Sequence, residues 1–153
     1  MITGIRIAMF ALLALAVLSP LHKVHAQPTG MNQSQTKITS IPGTWKATIP
    51  GRTKGLVFRG ELIVNAATGP NQYRGRLTLR YPGGKKSVVQ DANISVEGSK
   101  VTIKCSVVKL IGFGRGETYN ADEYLLTLSG NTMSGGSQDT SGYADENNVF
   151  QKM

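Results

Sequence analysis

The sequence predicts an all-β domain, an antiparallel up-and-down (meander) barrel of about eight strands, with a β-sandwich as the alternative. From Gly43 onwards, short runs alternate between apolar and polar residues, which is typical of half-buried strands. Glycine, proline and asparagine separate these runs at intervals of about 8–12 residues, the spacing of sandwiches and barrels. No segment of ten or more residues beyond the N-terminal region has helical i, i+3, i+4 spacing. We favour the barrel because closure removes the exposed edges of a meander.

The first four predicted strands are separated by clear turn residues. They cover residues 45–49, 55–64, 73–81 and 86–96. The turns between them contain Pro50-Gly51, Gly69-Pro70 and Pro82-Gly83-Gly84. The third strand has the most regular alternation, whereas the fourth fits either one bent strand or two short ones.

Four more strands are predicted in the second half of the chain. They cover residues 101–107, 124–128, 132–138 and 147–152, and Gly130-Asn131 marks a hairpin turn. A long loop at 111–120 contains three alternate glycines and fits a mobile lid with Phe113 at its tip. The segment 139–148 is rich in oxygen-bearing side chains, but its spacing is not that of an EF-hand. We therefore expect a solvated loop there.

The N-terminus has the pattern of a secretory signal peptide. Arg6 precedes an apolar run at 7–18, and Val24-His25-Ala26 fits a cleavage site before Gln27. The apolar run is too short for a membrane-spanning helix, so we expect an exported protein, periplasmic or extracellular. The expected organisation is a signal peptide at 1–26, a flexible leader at 27–42 and a single β-barrel domain at 43–153.

Export would remove both histidines of the chain, and their loss excludes most catalytic chemistry. Both histidines, His22 and His25, lie in the signal peptide, so the exported chain has no imidazole for a nucleophile, a general base or a metal ligand. The single cysteine, Cys105, alternates in phase with apolar residues, which favours an inert buried thiol. Adjacent carboxylates such as Asp122 and Glu123 point to opposite faces of a strand and do not converge. We expect a non-enzymatic protein without a cofactor or a metal.

Gly43-Thr44-Trp45 at the first strand resembles the G-x-W motif of the calycin superfamily, which includes lipocalins, fatty-acid-binding proteins and avidins. The resemblance covers residues 43–152 in pattern, including the closing segments 128–133 and 149–152. It implies an up-and-down barrel in which the tryptophan packs across one end and the lumen or mouth binds a small apolar ligand. Lipocalins cover that tryptophan with a basic residue of the last strand, and the matching residue here is Lys152.

Five aromatic side chains are candidates for lining a ligand site in the lumen. They are Trp45, Phe58, Tyr73, Tyr81 and Tyr124. Tyrosine combines apolar area with a hydroxyl that orients a bound molecule, so the expected ligand is small and apolar or amphipathic. The alternative is that the same side chains fill a core without any cavity.

Charge is distributed unevenly along the chain. Residues 37–109 carry 13 basic and 3 acidic side chains, whereas residues 110–153 carry 2 basic and 6 acidic ones. Five cations are expected on outer strand faces, namely Arg74, Arg76, Arg80, Lys100 and Lys104. If their two strands were adjacent, these cations would form a stripe, and the alternative function is a module that docks this face on an anionic envelope component or a protein partner. A nucleic-acid partner is not expected, because no aromatic stacking platform accompanies the cations.

Overall fold

Residues 40–153 are described by the computed structural model of the chain. The predicted signal peptide, and the predicted leader up to residue 39, lie outside the described residues. Eight strands make up the described part of the chain. In order they are β1 (Gly43–Pro50), β2 (Val57–Gly69), β3 (Gln72–Arg80), β4 (Ser87–Glu97), β5 (Lys100–Ile111), β6 (Asp122–Ser129), β7 (Thr132–Asp139) and β8 (Ala144–Lys152).

Each strand pairs antiparallel with the next, and β8 pairs with β1, so the sheet is a closed barrel in meander order. The predicted fold class is therefore confirmed, and the sandwich alternative is excluded. Closure pairs Trp45 with Lys152 and Ala47 with Phe150. Residues 40–153 contain no helix, and hence none in that range with the length and hydropathy needed to cross a membrane.

Strand boundaries differ from the predicted ones where the side-chain pattern is weak. β2 continues through residues 65–69, predicted as a turn, because bulges keep its backbone paired with β3 although most of these side chains are exposed. β4 is one continuous strand that pairs with both β3 and β5. β8 begins three residues before the predicted strand at 147–152, so residues 144–146 of the predicted solvated loop belong to it, because the turn at 140–143 allows Gln138 to pair with Ala144.

Inward-facing side chains pack the barrel at the end where β1 begins, which we call the filled end. Its completely buried members include Trp45, Leu62, Leu77, Ile103 and Phe150. The indole Nε1 of Trp45 donates to the carbonyl of Ile41, 2.9 Å away, and Ile41 is itself buried just before β1. Lys152 places Nζ 5.3 Å from the centre of the Trp45 ring and donates to the carbonyl of Ser40. Lys152 thus covers the tryptophan, as the calycin resemblance implies.

The opposite end of the barrel, which we call the mouth, is surrounded by four connections. They are residues 51–56, 81–86, 112–121 and 140–143. The longest, 112–121, is called the mouth loop below. β6 pairs with β5 only as far as Lys104, although β5 continues to Ile111. The mouth loop therefore returns to β6 beside a stretch of β5 that β6 does not cover.

Gly60 in β2 lies against the backbone of β3. A Cβ atom at this position would collide with the carbonyl oxygen of Thr78 and lie 3.0 Å from the Cα atom of Leu79. The close approach of these two strands therefore requires a residue without a side chain.

Candidate functional site

A cavity of about 330 Å³ opens at the mouth of the barrel. Its wall is apolar and is formed by Ile49, Leu56, Phe58 and Tyr81. Its floor is polar and includes Tyr119, Asp122 and Ser137, whereas its rim carries Arg52, Asp139 and Tyr143. An apolar wall with a few convergent polar groups is the usual composition of a small-molecule site.

The apolar wall follows from the alternation of the strands that reach the mouth. Ile49 of β1 and Phe58 of β2 are paired neighbours, and both are buried. The rings of Phe58 and Tyr81 meet edge to face with their centroids 4.6 Å apart. Burial raises the pKa of Tyr81, so its hydroxyl stays protonated at neutral pH and remains a hydrogen-bond donor.

The mouth loop is held against this wall by Phe113 and Glu117. Phe113 packs edge to face on Tyr81, with the ring centroids 5.5 Å apart. Lys86 contacts both loop residues, because its Nζ lies 2.6 Å from Glu117 Oε1 and 5.3 Å from the centre of the Phe113 ring. The aromatic residue that the sequence places at the tip of a lid is therefore packed beside the cavity.

Asp122, the first residue of β6, lies at the floor of the cavity among three other polar side chains. Its Oδ2 accepts hydrogen bonds from Gln90 Nε2 at 2.8 Å and from the Tyr119 hydroxyl at 3.0 Å. Gln90 is completely buried in β4. The Tyr124 hydroxyl is completely buried and lies close enough to Asp122 to lower the pKa of that carboxyl, although it forms no well-shaped hydrogen bond within residues 40–153.

Burial makes the ionised form of Asp122 unfavourable. It raises the pKa of this carboxyl, and the hydrogen-bonding groups of Gln90, Tyr119 and Tyr124 offset the effect only in part. Burial, together with the charge of Asp122, also raises the pKa of Tyr119 and of Tyr124. Within residues 40–153, no lysine or arginine forms an ion pair with Asp122. The floor therefore holds a carboxyl group without a neutralising cation.

Asp139 lies opposite Asp122 in the β6–β7 pair but has a different environment. Although desolvation acts to raise its pKa, hydrogen bonds from Ser141, Arg52 and the Tyr143 backbone lower it to about 2. Arg52 Nη2 lies 2.7 Å from Asp139 Oδ2, and the guanidinium carbon lies 4.8 Å from the centre of the Tyr143 ring. Asp139 therefore closes the β7–β8 turn and holds an arginine at the rim.

The five aromatic candidates are divided between the cavity and the core. Phe58 and Tyr81 line the cavity. Trp45 and Tyr124 are completely buried, the first at the filled end and the second beneath Asp122 on β6. Tyr73 is half-buried and packs against the core close to the β2–β3 turn. Only two of the five are thus positioned to contact a molecule in the cavity.

The five predicted surface cations are exposed, but β4 lies between the two strands that carry them. Arg76 pairs with Asp91 of β4 across 2.8 Å. Lys104 forms an ion pair with Glu123 of β6 across 3.4 Å. The strands are therefore not adjacent, and acidic side chains are interspersed among the cations.

Asp122 and Gln90 are absent from the site predicted from the sequence, although strand alternation contains a signal for both. Asp122 is in phase with Tyr124 and Leu126, which point inward, and Gln90 is in phase with the buried Ala92. A polar residue in phase with the inward apolar set of a strand indicates a buried polar group. Residues at the rim belong largely to turns, where alternation gives no such signal.

Other reactive arrangements are lacking in the described part of the chain. No three side chains of histidine, cysteine, aspartate or glutamate come together there as a possible metal site. Cys105 packs against the core, and burial raises the pKa of its thiol. A thiol in this state is a poor nucleophile at neutral pH.

No protein-family model matches this chain, and neither a curated protein nor a solved structure matches it significantly. The eight-stranded antiparallel meander, closed between β1 and β8, is compatible with a calycin-like fold.

Proposed function

We propose that the chain is an exported, non-enzymatic barrel of the calycin type that binds a small amphipathic ligand at its mouth. The observation that carries the proposal is the cavity of about 330 Å³, with its apolar wall and its polar floor around Asp122. A protein cavity of about 150 Å³ is sufficient for benzene. This cavity is about twice as large and opens to solvent, so it has room for on the order of a dozen non-hydrogen atoms and allows a somewhat larger molecule to extend out of the mouth.

The contrast between the two ends of the barrel supports binding over simple core packing. Around Trp45 the interior is filled by side chains. At the mouth, Phe58 and Tyr81 pack on each other and leave an open space beside them. The mouth loop contributes Tyr119 to that space, so a ligand would touch strands and a loop together.

Chemical composition supports a binding role over catalysis. The chain after the predicted cleavage site has no histidine. Of the two carboxyl groups that line the cavity, Asp139 is already engaged by Arg52 and by the backbone N–H of Ser141. Asp122 is therefore the one lining carboxyl outside an ion pair among residues 40–153, and the two free carboxyl groups that glycoside hydrolysis uses are not formed.

The proposal is tested by titrating the purified protein with N-phenyl-1-naphthylamine, a dye that is neutral at pH 7 and fluoresces more strongly in apolar sites. We expect saturable binding of one dye per chain. Ile49→Phe enlarges a side chain of the cavity wall and is expected to weaken dye binding by about tenfold. Ile63→Phe makes the same change on the exposed outer face of β2 and serves as the matched control.

Two outcomes would refute a ligand site at the mouth. One is the absence of a saturable signal with the wild-type protein. The other is equal weakening by Ile49→Phe and Ile63→Phe, since only the first residue lines the cavity.

Docking of the cationic face on an anionic partner is the alternative function and has less support. Asp91 neutralises Arg76, and β4 separates the cationic strands. Under that alternative, reversing the charges of Arg74 and Arg80 would abolish binding to the anionic partner, and binding would weaken steeply with salt. Binding of the neutral dye at the mouth is expected to depend little on salt, so the two functions are distinguished by titrating the protein in parallel with the dye and with anionic lipid vesicles at two ionic strengths.

A further inference from the structure

We propose that the mouth cavity recognises a protonated amine carried on an apolar body, and that the ammonium group donates to Asp122. The inference rests on the proposed ligand-binding function and names the chemical class of the ligand. Nothing in the sequence pattern alone indicates this class, because the cationic residues are more conspicuous than the interior carboxyl.

Charge within the cavity is the first support. Apart from its tyrosines, the cavity is lined by one basic side chain, Arg52, and by two acidic ones, Asp122 and Asp139. Arg52 and Asp139 neutralise each other through a contact of 2.7 Å. Asp122 is left without an ion pair among residues 40–153, so the cavity has an unbalanced negative charge when this group is ionised. A ligand cation would supply the balance.

Hydrogen-bonding geometry is the second support. Both side-chain hydrogen bonds to Asp122, from Gln90 and Tyr119, end on Oδ2. Oδ1 therefore keeps acceptor capacity for a further donor. An ammonium group carries up to three N–H donors, one of which can donate to Oδ1.

The chemistry of the cavity disfavours the other charged ligands. A carboxylate or phosphate would face Asp122 across a poorly solvated space and be repelled. A metal ion would need several convergent ligands, and no group of three histidine, cysteine or acidic side chains occurs in residues 40–153. An organic cation needs one carboxylate and an apolar surface for its body. Phe58 and Tyr81 supply that surface, and their ring faces and edges suit an aryl or alkyl group.

Three probes of nearly equal shape test the inference: 4-phenylbutylamine, 4-phenylbutanol and 4-phenylbutyrate. Each is allowed to compete with N-phenyl-1-naphthylamine on the wild-type protein at pH 7. The amine is expected to bind roughly tenfold to hundredfold more tightly than the alcohol, because a hydrogen bond to a charged group exceeds one between neutral groups by about that factor. The carboxylate is expected to bind most weakly.

Two variants test whether the preference for the amine depends on Asp122. Asp122→Asn is expected to reduce the affinity for the amine to that for the alcohol and to leave the alcohol nearly unchanged. Glu123→Gln removes the neighbouring carboxylate, which points outward to Lys104, and is expected to change none of the three affinities. The comparison of the three probes on the wild-type protein is decisive by itself if Asp122→Asn does not fold.

The outcomes separate the two proposals. If the dye binds but the amine and the alcohol bind with equal affinity, the amine inference is overturned and the ligand-binding function stands. The same holds if the carboxylate binds most tightly of the three probes. An unchanged preference for the amine in Asp122→Asn also overturns the amine inference. Failure of the dye to bind overturns both proposals, because the probes are measured by its displacement.

Discussion

Asp122 and Asp139 face each other across the β6–β7 pair, and their pKa values are displaced in opposite directions. Burial raises the pKa of Asp122, whereas hydrogen bonds and Arg52 outweigh the desolvation of Asp139 and lower its pKa to about 2. One carboxyl therefore opposes folding when it is ionised, and the other favours it. Two adjacent strands thus carry groups with opposite effects on the pH dependence of stability.

Asp122→Asn is expected to stabilise the protein at neutral pH. The folded chain holds the Asp122 proton more tightly than the unfolded chain, so stability falls as pH rises from about 4 through the raised pKa. Asparagine cannot ionise, yet its side-chain oxygen still accepts from Gln90 or Tyr119. Thermal unfolding at pH 7 and at pH 4 measures the effect, and the gain in Tm should be largest at pH 7. Glu123→Gln is the control, and an equal gain in that variant would contradict the assignment.

Asp139→Asn is expected to destabilise the protein at neutral pH. The depressed pKa of Asp139 contributes stability that is complete above about pH 4 and is lost as pH falls towards 2. Asparagine retains an acceptor for the turn but loses the ion pair with Arg52. Urea unfolding at several pH values gives the free energy of unfolding of each protein. The difference between the wild type and the variant should shrink as the pH falls. A constant difference down to pH 2 would show that the carboxylate charge is not involved.

Lys152→Met is expected to weaken the filled end by about 0.5–2 kcal/mol, because it removes the cation 5.3 Å from the Trp45 ring. The methionine stem keeps most of the apolar contact, so the loss reports the charge and the hydrogen bond to Ser40. Denaturant unfolding followed by Trp45 fluorescence gives the free energy of unfolding directly, since Trp45 is the only tryptophan. Lys152→Arg preserves a cation over the ring and is expected to restore most of the stability.

Gly60→Ala is expected to destabilise the barrel by about 1–3 kcal/mol, because the added methyl group collides with the backbone of β3 at Thr78. Gly69→Ala is the matched control in the same strand. A Cβ atom at residue 69 would lie 3.9 Å from its nearest neighbour, an ordinary contact with Gln72. Chemical denaturation of both variants should show a loss only for Gly60→Ala, and equal losses would mean that glycine entropy, not the collision, sets the cost.

Phe113→Ala is expected to loosen the mouth loop, because it removes the ring contacts with Tyr81 and Lys86. The backbone N–H of Glu117 donates to the Gly114 carbonyl within the loop, and its hydrogen exchange should accelerate on the order of two- to tenfold. Ile111→Ala removes an exposed side chain just before the loop and should leave that exchange rate unchanged. Unaltered exchange in Phe113→Ala would show that the ion pair of Lys86 with Glu117 holds the loop alone.

The barrel was predictable from the sequence because its strands are regular and its turns are rich in glycine. The alternation around Leu77 and Leu79 reproduces the inward set of β3. The end of β2 was not predictable in the same way, since residues 65–69 are paired through their backbone and carry no apolar alternation. Pairing across bulges depends on hydrogen bonds that are independent of side-chain type.

The position of the cavity was harder to predict from the sequence than the fold. Phe58 and Tyr81 are identifiable as aromatic residues of inward phase, but the same is true of Trp45 and Tyr124, which fill the core. Which aromatic residues border empty space depends on the depth of each strand along the barrel axis. Register between neighbouring strands determines that depth, and single-strand alternation does not specify it.

Closure between β1 and β8 has a consequence for how the chain folds. Seven of the eight strand pairings join consecutive strands and require only short loops to close, whereas the pairing of Trp45 with Lys152 joins the two ends of the domain. Ring closure therefore carries the largest loop entropy and is expected to be the slow step. The only tryptophan, Trp45, lies in the β1–β8 pair. In stopped-flow refolding, the change in its fluorescence should therefore be slower than the change in far-ultraviolet circular dichroism that follows hairpin formation. The fluorescence of Trp45 would then report the step at which β1 pairs with β8 and the barrel closes.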